Sequence, residues 1–254
     1  MKVVILAGGF GTRLGEEIVV PKPMVRIGPH PMLWHIMKFY ASYGFDEFVV
    51  ALGYKAEVVK GYFLQFADMA SDLTVDLASG TVERRRRHQE RWTVHLIDTG
   101  LDTLTGGRVL RLASIIGGET FMLTHGDGLS DVPLDRLLAH HRAQGKLVTV
   151  TAVPAPARFG GIAFEGDRIV GFAENHASGD GWINGGYMVM EPGVLEYFDG
   201  DKDSLEASLL ERLGRADRLA AYKHAGFWQC MDGMRDKRTL ERLWASGVPP
   251  WKRW

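Results

Sequence analysis

Over the first 130 residues, short apolar runs alternate with stretches of helical period, a rhythm that calls for a mainly parallel sheet with helices on its faces. Lys2 to Ala7 is apolar after its first residue, as in a central strand buried on both sides, and it stops at Gly8-Gly9. Pro31 suits the first turn of a helix; Met32, Leu33, Ile36, Met37 and Tyr40 follow at helical spacing, and Gly44 terminates it. The pattern then predicts a strand from Glu47 to Leu52, a helix from Ala56 to Phe66, a strand from Trp92 to Asp98, and a short strand from Phe121 to Thr124 that runs into His125-Gly126-Asp127-Gly128. Pro133 opens a helix carrying Leu134, Leu137, Leu138 and His141, and Leu147 to Val153 returns to the sheet. Between 154 and 190 the rhythm changes to short strands separated by glycine-rich turns: Ile162 to Phe164, Ile169 to Phe172 and Tyr187 to Met190. Helical spacing resumes in Leu205 to Leu213 and Arg235 to Trp244, with the run Trp228 to Met231 between them. No repeat or linker interrupts the chain, so the expectation is an α/β protein in one domain, 1–254. Its central sheet should be mainly parallel and Rossmann-like, flanked by helices, with a small β-rich elaboration.

Composition narrows the class. The 254 residues are 46% hydrophobic and 24% charged, and no stretch approaches the ~18 apolar residues of a membrane span. The apolar run near the start is too short for the ~7–15-residue core of a signal peptide, so the chain reads as cytoplasmic. With 30 basic and 31 acidic residues the net charge is −1, which argues against a nucleic-acid footprint and favours small ligands. The run Arg84-Arg85-Arg86-Arg87-His88 reads as a solvated or subunit-contact loop. A single cysteine, Cys230, excludes an intrachain disulfide and any cysteine-cluster metal site, and its bulky neighbours make it a packing residue. The nine histidines have no metal-ligand spacing, and the adjacent His140-His141 reads as a helix-surface pair. Trp251 and Trp254 suggest docking on a neighbouring subunit, hence a homo-oligomer.

The most informative stretch is Leu6-Ala7-Gly8-Gly9-Phe10-Gly11-Thr12-Arg13-Leu14. Three glycines directly after a buried strand let the backbone approach an anion and aim N–H groups at it. The stretch lacks the Gly-Lys-Ser/Thr of a P-loop and the last glycine of the dinucleotide fingerprint. What remains is a glycine turn with Arg13 and, a little further on, Lys22, whose flanking Pro21 and Pro23 stiffen the backbone that presents its ammonium. Asp127, between two glycines at the end of a strand, stands where open α/β sheets put ligand-binding groups.

These motifs resemble the sugar-1-phosphate nucleotidyltransferases. The first loop with Pro21-Lys22-Pro23-Met24-Val25 is similar to that family's signature. The glucose-1-phosphate cytidylyltransferase branch is resembled by Leu33-Trp34-His35-Ile36-Met37-Lys38, Gly53-Tyr54-Lys55, Asp98-Thr99-Gly100, Thr105-Gly106-Gly107-Arg108, Gly126-Asp127-Gly128, Arg158-Phe159-Gly160, Ile183-Asn184-Gly185-Gly186, and Gly226 through Asp232. The resemblance implies a nucleotide-diphospho-sugar transferase-like fold whose β-rich part lies on the sugar side. It also implies an enzyme that makes CDP-glucose and diphosphate from CTP and a sugar 1-phosphate with Mg²⁺. Such a reaction needs phosphate neutralisation and an in-line oxygen nucleophile. A sugar phosphate with a second pKa near ~6 is already largely dianionic, so no catalytic base is required.

By resemblance the catalytic set is Arg13, Lys22, Asp127 and Asp232, with the two aspartates as metal ligands. Arg13 would cover the β and γ phosphates, and Lys22 would sit against the α-phosphate and the incoming phosphate. The nucleotide would meet Leu6, Ala7, Gly8, Gly9, Gly11, Thr12, Arg13 and Lys22, together with Thr105, Gly107 and Arg108, where Gly106-Gly107 could offer further backbone donors. The sugar phosphate would meet Gly128, Glu174, Asn175, Asn184 and Gly185. Where the family has Glu-Lys-Pro, this chain has Glu174-Asn175-His176; an amide donates hydrogen bonds but brings no charge to a dianion. That keeps a second acceptor, another sugar phosphate or a small phosphate or phosphonate, open as an alternative. A nucleotide-binding regulator without turnover is the reading from another class.

Overall fold

The computed structural model describes residues 1–11, 20–86, 90–154, 161–165, 168–173 and 181–254. Nine strands form one sheet. Its continuous path runs Arg168–Ala173, Gly161–Glu165, Trp182–Met190, Phe121–His125, Val3–Leu6, Glu47–Leu52, Thr93–Asp98, while Val148–Pro154 pairs with Trp182–Met190 and with Leu219–Lys223. The sheet is mixed. Val3–Leu6 is parallel to both its neighbours, as are Glu47–Leu52 and Thr93–Asp98. From Trp182–Met190 outward the pairing turns antiparallel, except that Val148–Pro154 and Leu219–Lys223 run parallel.

Alternation along the first strand divides the core. Val3 and Ile5 face a layer with Met32, Ile36, Phe39 and Tyr40 from helix Met32–Ala41; Val4 and Leu6 face a layer with Val109, Leu112, Leu205 and Leu209. All four strand residues are buried, as the unbroken apolar run predicts. The carboxyl ends of Val3–Leu6, Glu47–Leu52 and Phe121–His125 therefore open side by side, which is where loops from such a sheet converge on ligands.

Several expectations need correction. The arginine run is not a loop through Arg86: Thr81–Arg86 pairs antiparallel with Ser71–Asp76 in a separate two-stranded ribbon, with Asp72 opposite Arg85 and Leu73 opposite Arg84. Its apolar residues Leu73, Val75 and Val82 leave the ribbon too polar to read as strands in the sequence. His141 is not a surface residue; Nδ1 lies 2.8 Å from the Thr149 hydroxyl and Nε2 3.0 Å from Glu191. Trp251 docks within its own chain, wholly buried, stacked near Phe227 and donating from Nε1 to His35 Nδ1 at 3.4 Å, while Trp254 meets Trp34 edge to face. The Leu205–Leu213 periodicity resolves into a π-helix, Leu205–Leu210, followed by an α-helix, Glu211–Arg215. No helix among the described residues is long and apolar enough to cross a membrane.

Candidate active site

The glycine turn leaves Val3–Leu6 beneath a cavity of about 550 Å³. Leu6, Ala7, Gly8, Gly9, Gly11, Lys22, Thr105, Arg108 and Asp127 all line it, so nine positions singled out from separate parts of the sequence meet at one opening. Gly11 sits at φ +65°, a conformation L side chains rarely adopt, and Gly8 leaves no room for a β-carbon, which would lie 2.2 Å from Arg108 Nη1.

That closeness exposes how Arg108 is used. Its guanidinium is almost fully buried and donates to the carbonyls of Leu52, Gly100 and Leu101, to the Thr99 hydroxyl, and to the carbonyl of Gly8, at 2.8 to 3.2 Å. Burial pulls its pKa below the ordinary arginine value, with Asp98 opposing. The side chain thus ties together the backbone at the ends of three parallel strands and anchors the glycine turn from below. Gly107 corrects the sequence reading: it does not line the cavity. Both Gly106 and Gly107 lie inside helix Thr105–Arg111 and donate their N–H groups to the carbonyl of Asp203, and a β-carbon on Gly107 would strike the Asp201 backbone at 2.6 Å. These glycines permit close packing.

Asp127 and Asp232 come together through a short antiparallel ribbon, Gly128–Ser130 against Trp228–Cys230. Asp127 precedes one strand and Asp232 follows the other, and the N–H of Met231 donates to the Asp127 carbonyl at 2.8 Å. Gly128 packs into this ribbon and its carbonyl accepts from the Tyr187 hydroxyl; that of Gly185 accepts from Trp228 Nε1 at 2.7 Å, and Asn184 Oδ1 accepts from Gly186 N–H. Lys22 opens a 3₁₀ turn, Lys22–Met24, behind Pro21. Its ammonium donates to Asp232 Oδ1 at 2.9 Å and to Asp127 Oδ2 at 3.4 Å. Burial alone would lower the Lys22 pKa, but the two carboxylates more than offset it, and the group lies above the usual lysine value. Arg13, Thr12, Glu174 and Asn175 lie outside the described residues.

Two carboxylates converging on one cationic point form an oxygen-only donor pair of the kind a hard divalent cation takes. No group of three or more His, Cys, Asp or Glu that could hold a metal occurs among the described residues, so further ligands would come from phosphate oxygens and water. The pair fits a nucleotide-dependent cation better than a resident one.

Two features of the site escape the sequence reading. Asp236 Oδ2 accepts from the N–H groups of Asp232 and Gly233 at 3.0 and 3.1 Å, so the first turn of helix Met234–Ala245 pins the backbone of Asp232. His125, on the cavity wall, lies 3.0 Å from Glu206, whose other oxygen accepts from the Thr105 hydroxyl. Burial opposes a charge on His125, yet Glu206 outweighs it and the imidazole pKa is raised. An Asp three residues into a helix is a weak sequence signal, and nothing in the spacing links residues 125 and 206.

Comparison with known proteins shows the family. Residues 2–229 match the Nucleotidyl transferase family. The glucose-1-phosphate cytidylyltransferase of Salmonella typhi is 43% identical over 256 residues, covering 100% of both chains. Mannose-1-phosphate guanylyltransferase 1 of Arabidopsis thaliana is 28% identical over 254 residues, covering 98% of this chain and 66% of its own. Among solved structures, HddC from Yersinia pseudotuberculosis complexed with GMP-PN superposes with a TM-score of 0.76 at 20% identity, over 96% of this chain and 99% of that one, which supports the fold. On this evidence the chain belongs to the nucleotidyl transferase family and, within it, to the glucose-1-phosphate cytidylyltransferase branch.

Proposed function

We propose that the protein transfers a cytidylyl group from CTP to α-D-glucose 1-phosphate, giving CDP-glucose and diphosphate with Mg²⁺, and that residues 1–254 act as one domain. The observation that carries this reading is the meeting of Asp127 and Asp232 on Lys22, which with Asp127 lines a cavity walled by the glycine turn. The Salmonella typhi relative, named for the same activity and matched end to end, supports the choice of CTP and glucose 1-phosphate.

The N–H groups around Gly8, Gly9 and Gly11, with Leu6 and Ala7 behind them, would receive the triphosphate, and Arg108 would act by holding that turn rather than by touching phosphate. Thr105 would line the nucleoside end. Lys22, with Arg13 and Thr12 from the same loop sequence, would neutralise charge as the α-phosphorus is attacked and diphosphate departs. The attacking oxygen belongs to a phosphate already dianionic near neutral pH, so none of these residues has to remove a proton. Asp127 and Asp232 would hold Mg²⁺, which supplies Lewis-acid polarisation of the phosphates when bound. Gly128, Asn184 and Gly185, near Trp228, would form the acceptor side with Glu174 and Asn175.

The protein would work in the cytoplasm, without nucleic acid or membrane, as a homo-oligomer. The projecting ribbon Ser71–Asp76/Thr81–Arg86 supports the last point, because a lone two-stranded ribbon with exposed Leu73, Val75 and Leu77 gains from a partner.

Incubating the protein with each nucleoside triphosphate and a panel of phosphate acceptors, with and without Mg²⁺, and measuring diphosphate release tests the reading. CTP and glucose 1-phosphate are expected to give product only with the metal. Product from other acceptors alone would favour the second reading, which Asn175 motivates. CTP binding without product from any acceptor would indicate a regulator.

A further inference from the structure

Lys22 donates to both aspartates at once, and this arrangement goes beyond its expected contact with phosphate. Its backbone has little freedom: Pro21 and Pro23 flank it, and the turn is closed by Met24 N–H to Pro21 carbonyl and Val25 N–H to Lys22 carbonyl. Both aspartates are fixed from behind as well, Asp127 through its carbonyl to Met231 and Asp232 through its N–H to Asp236. Two such carboxylates facing one point repel each other unless a cation lies between them. The Lys22 side chain, only 14% exposed, supplies that cation from within the chain.

We propose that Lys22 is also a positioning residue: before ligands bind, it stands in for the metal and holds Asp127 and Asp232 at coordinating separation, and it yields them to a divalent cation only as nucleotide arrives. This rests on the reading of the two aspartates as metal ligands.

A divalent cation on the two carboxylates takes both acceptors from Lys22 and adds a like charge beside it, in a partly desolvated place where such repulsion is poorly screened. The stem cannot retreat far, because it packs against the glycine turn, where a β-carbon on Gly11 would lie 3.1 Å from Lys22 Cγ. The displaced ammonium needs a new anion within reach of its tether, and the cavity it lines is the one assigned to the triphosphate. Metal alone therefore displaces Lys22 at a cost, whereas metal with nucleotide gives it a phosphate in exchange. The two ligands favour each other's binding, and linkage requires the effect to be equal in both directions.

Binding of Mn²⁺ to the full chain, followed by electron paramagnetic resonance without nucleotide and then with a methylene-bridged CTP analogue that cannot be cleaved, tests the exchange. The wild-type protein is expected to bind Mn²⁺ at least tenfold more tightly with the analogue than without. Lys22→Met should bind Mn²⁺ alone at least tenfold more tightly than wild type does, and should show a smaller gain on adding the analogue; Lys22→Gln, which also lacks the charge, should behave likewise. Circular dichroism establishes that each variant is folded. If the folded variants bind Mn²⁺ alone no better than wild type, the exchange is wrong although the aspartates remain metal ligands. If no form binds Mn²⁺ even with the analogue, the metal assignment itself fails and takes the exchange with it. Should neither variant fold, wild-type Mn²⁺ affinity that changes less than threefold on adding the analogue overturns the proposal.

Discussion

The cleft holds two cations, Arg108 buried and Lys22 partly buried, that look alike in a sequence and are built in opposite ways. Arg108 is surrounded by uncharged oxygens, four carbonyls and a hydroxyl, drawn from the ends of three strands. Lys22, among the described residues, donates to two carboxylates. A guanidinium saturated by backbone carbonyls has no reason to move when substrate comes, since each donor lost leaves a buried acceptor unpaired. An ammonium held by carboxylates can be replaced by any better cation. The charge of the partners, rather than the charge of the residue, separates scaffold from working part.

The sharpest break of this contrast is on the carboxylates. Asp127→Ala or Asp232→Ala should lower kcat by roughly 10³-fold, about 4 kcal/mol of barrier, with little change in folding; steady-state kinetics and a thermal melt measure the two, and near-normal turnover would refute the metal assignment. Arg108→Met should do the reverse in kind. It forfeits five hydrogen bonds, so unfolding free energy in urea should fall by roughly 5 kcal/mol at about 1 kcal/mol each, and a variant as stable as wild type would mean the clamp is ornamental.

His35 sharpens the comparison by showing what a weaker base does among uncharged partners. Its Nε2–H donates to the Ile27 carbonyl at 2.8 Å, and burial lowers its pKa to about 4. Between that value and the ordinary 6.5 the unfolded chain binds more protons, so the contribution is complete above about pH 6.5 and is lost as pH falls toward 4. The loss should be roughly 3 kcal/mol, read as the difference in unfolding free energy between pH 7 and pH 4. An equally steep profile in His35→Gln would assign it elsewhere. The smallest effect belongs to the cap: Asp236→Ala should cost about 1 kcal/mol of stability, as lost helix caps do, and should raise the metal concentration needed for half-maximal rate. Unchanged metal dependence would separate the cap from Asp232.

Much of the site was legible because it lies at strand ends that are themselves legible. Glu47 to Leu52 is apolar enough to be read to the residue, and the glycines after Val3–Leu6 could only be a turn. What stayed hidden are partnerships at long range. Gly106 and Gly107 suggest a phosphate loop until Asp203, nearly a hundred residues later, is seen to take both their N–H groups. Arg108 suggests a ligand arm until the carbonyls around it are counted. The strand Leu219–Lys223 is hidden because it is short and half of its apolar content is alanine, a weak strand former, and the arginine-rich ribbon because its few apolar residues do not outweigh their charged neighbours. The π-helix at Leu205–Leu210 carries apolar spacing that a periodicity argument reads as an ordinary helix.

Trp251 closes over His35 and Phe227, so helix Met32–Ala41 is sealed by a side chain added more than two hundred residues later. At ~5–20 residues per second on the ribosome, that helix waits roughly 10–40 s with its indole seat vacant. Through that interval the helix keeps an apolar seat open, so its burial is finished by a contact of very long sequence separation.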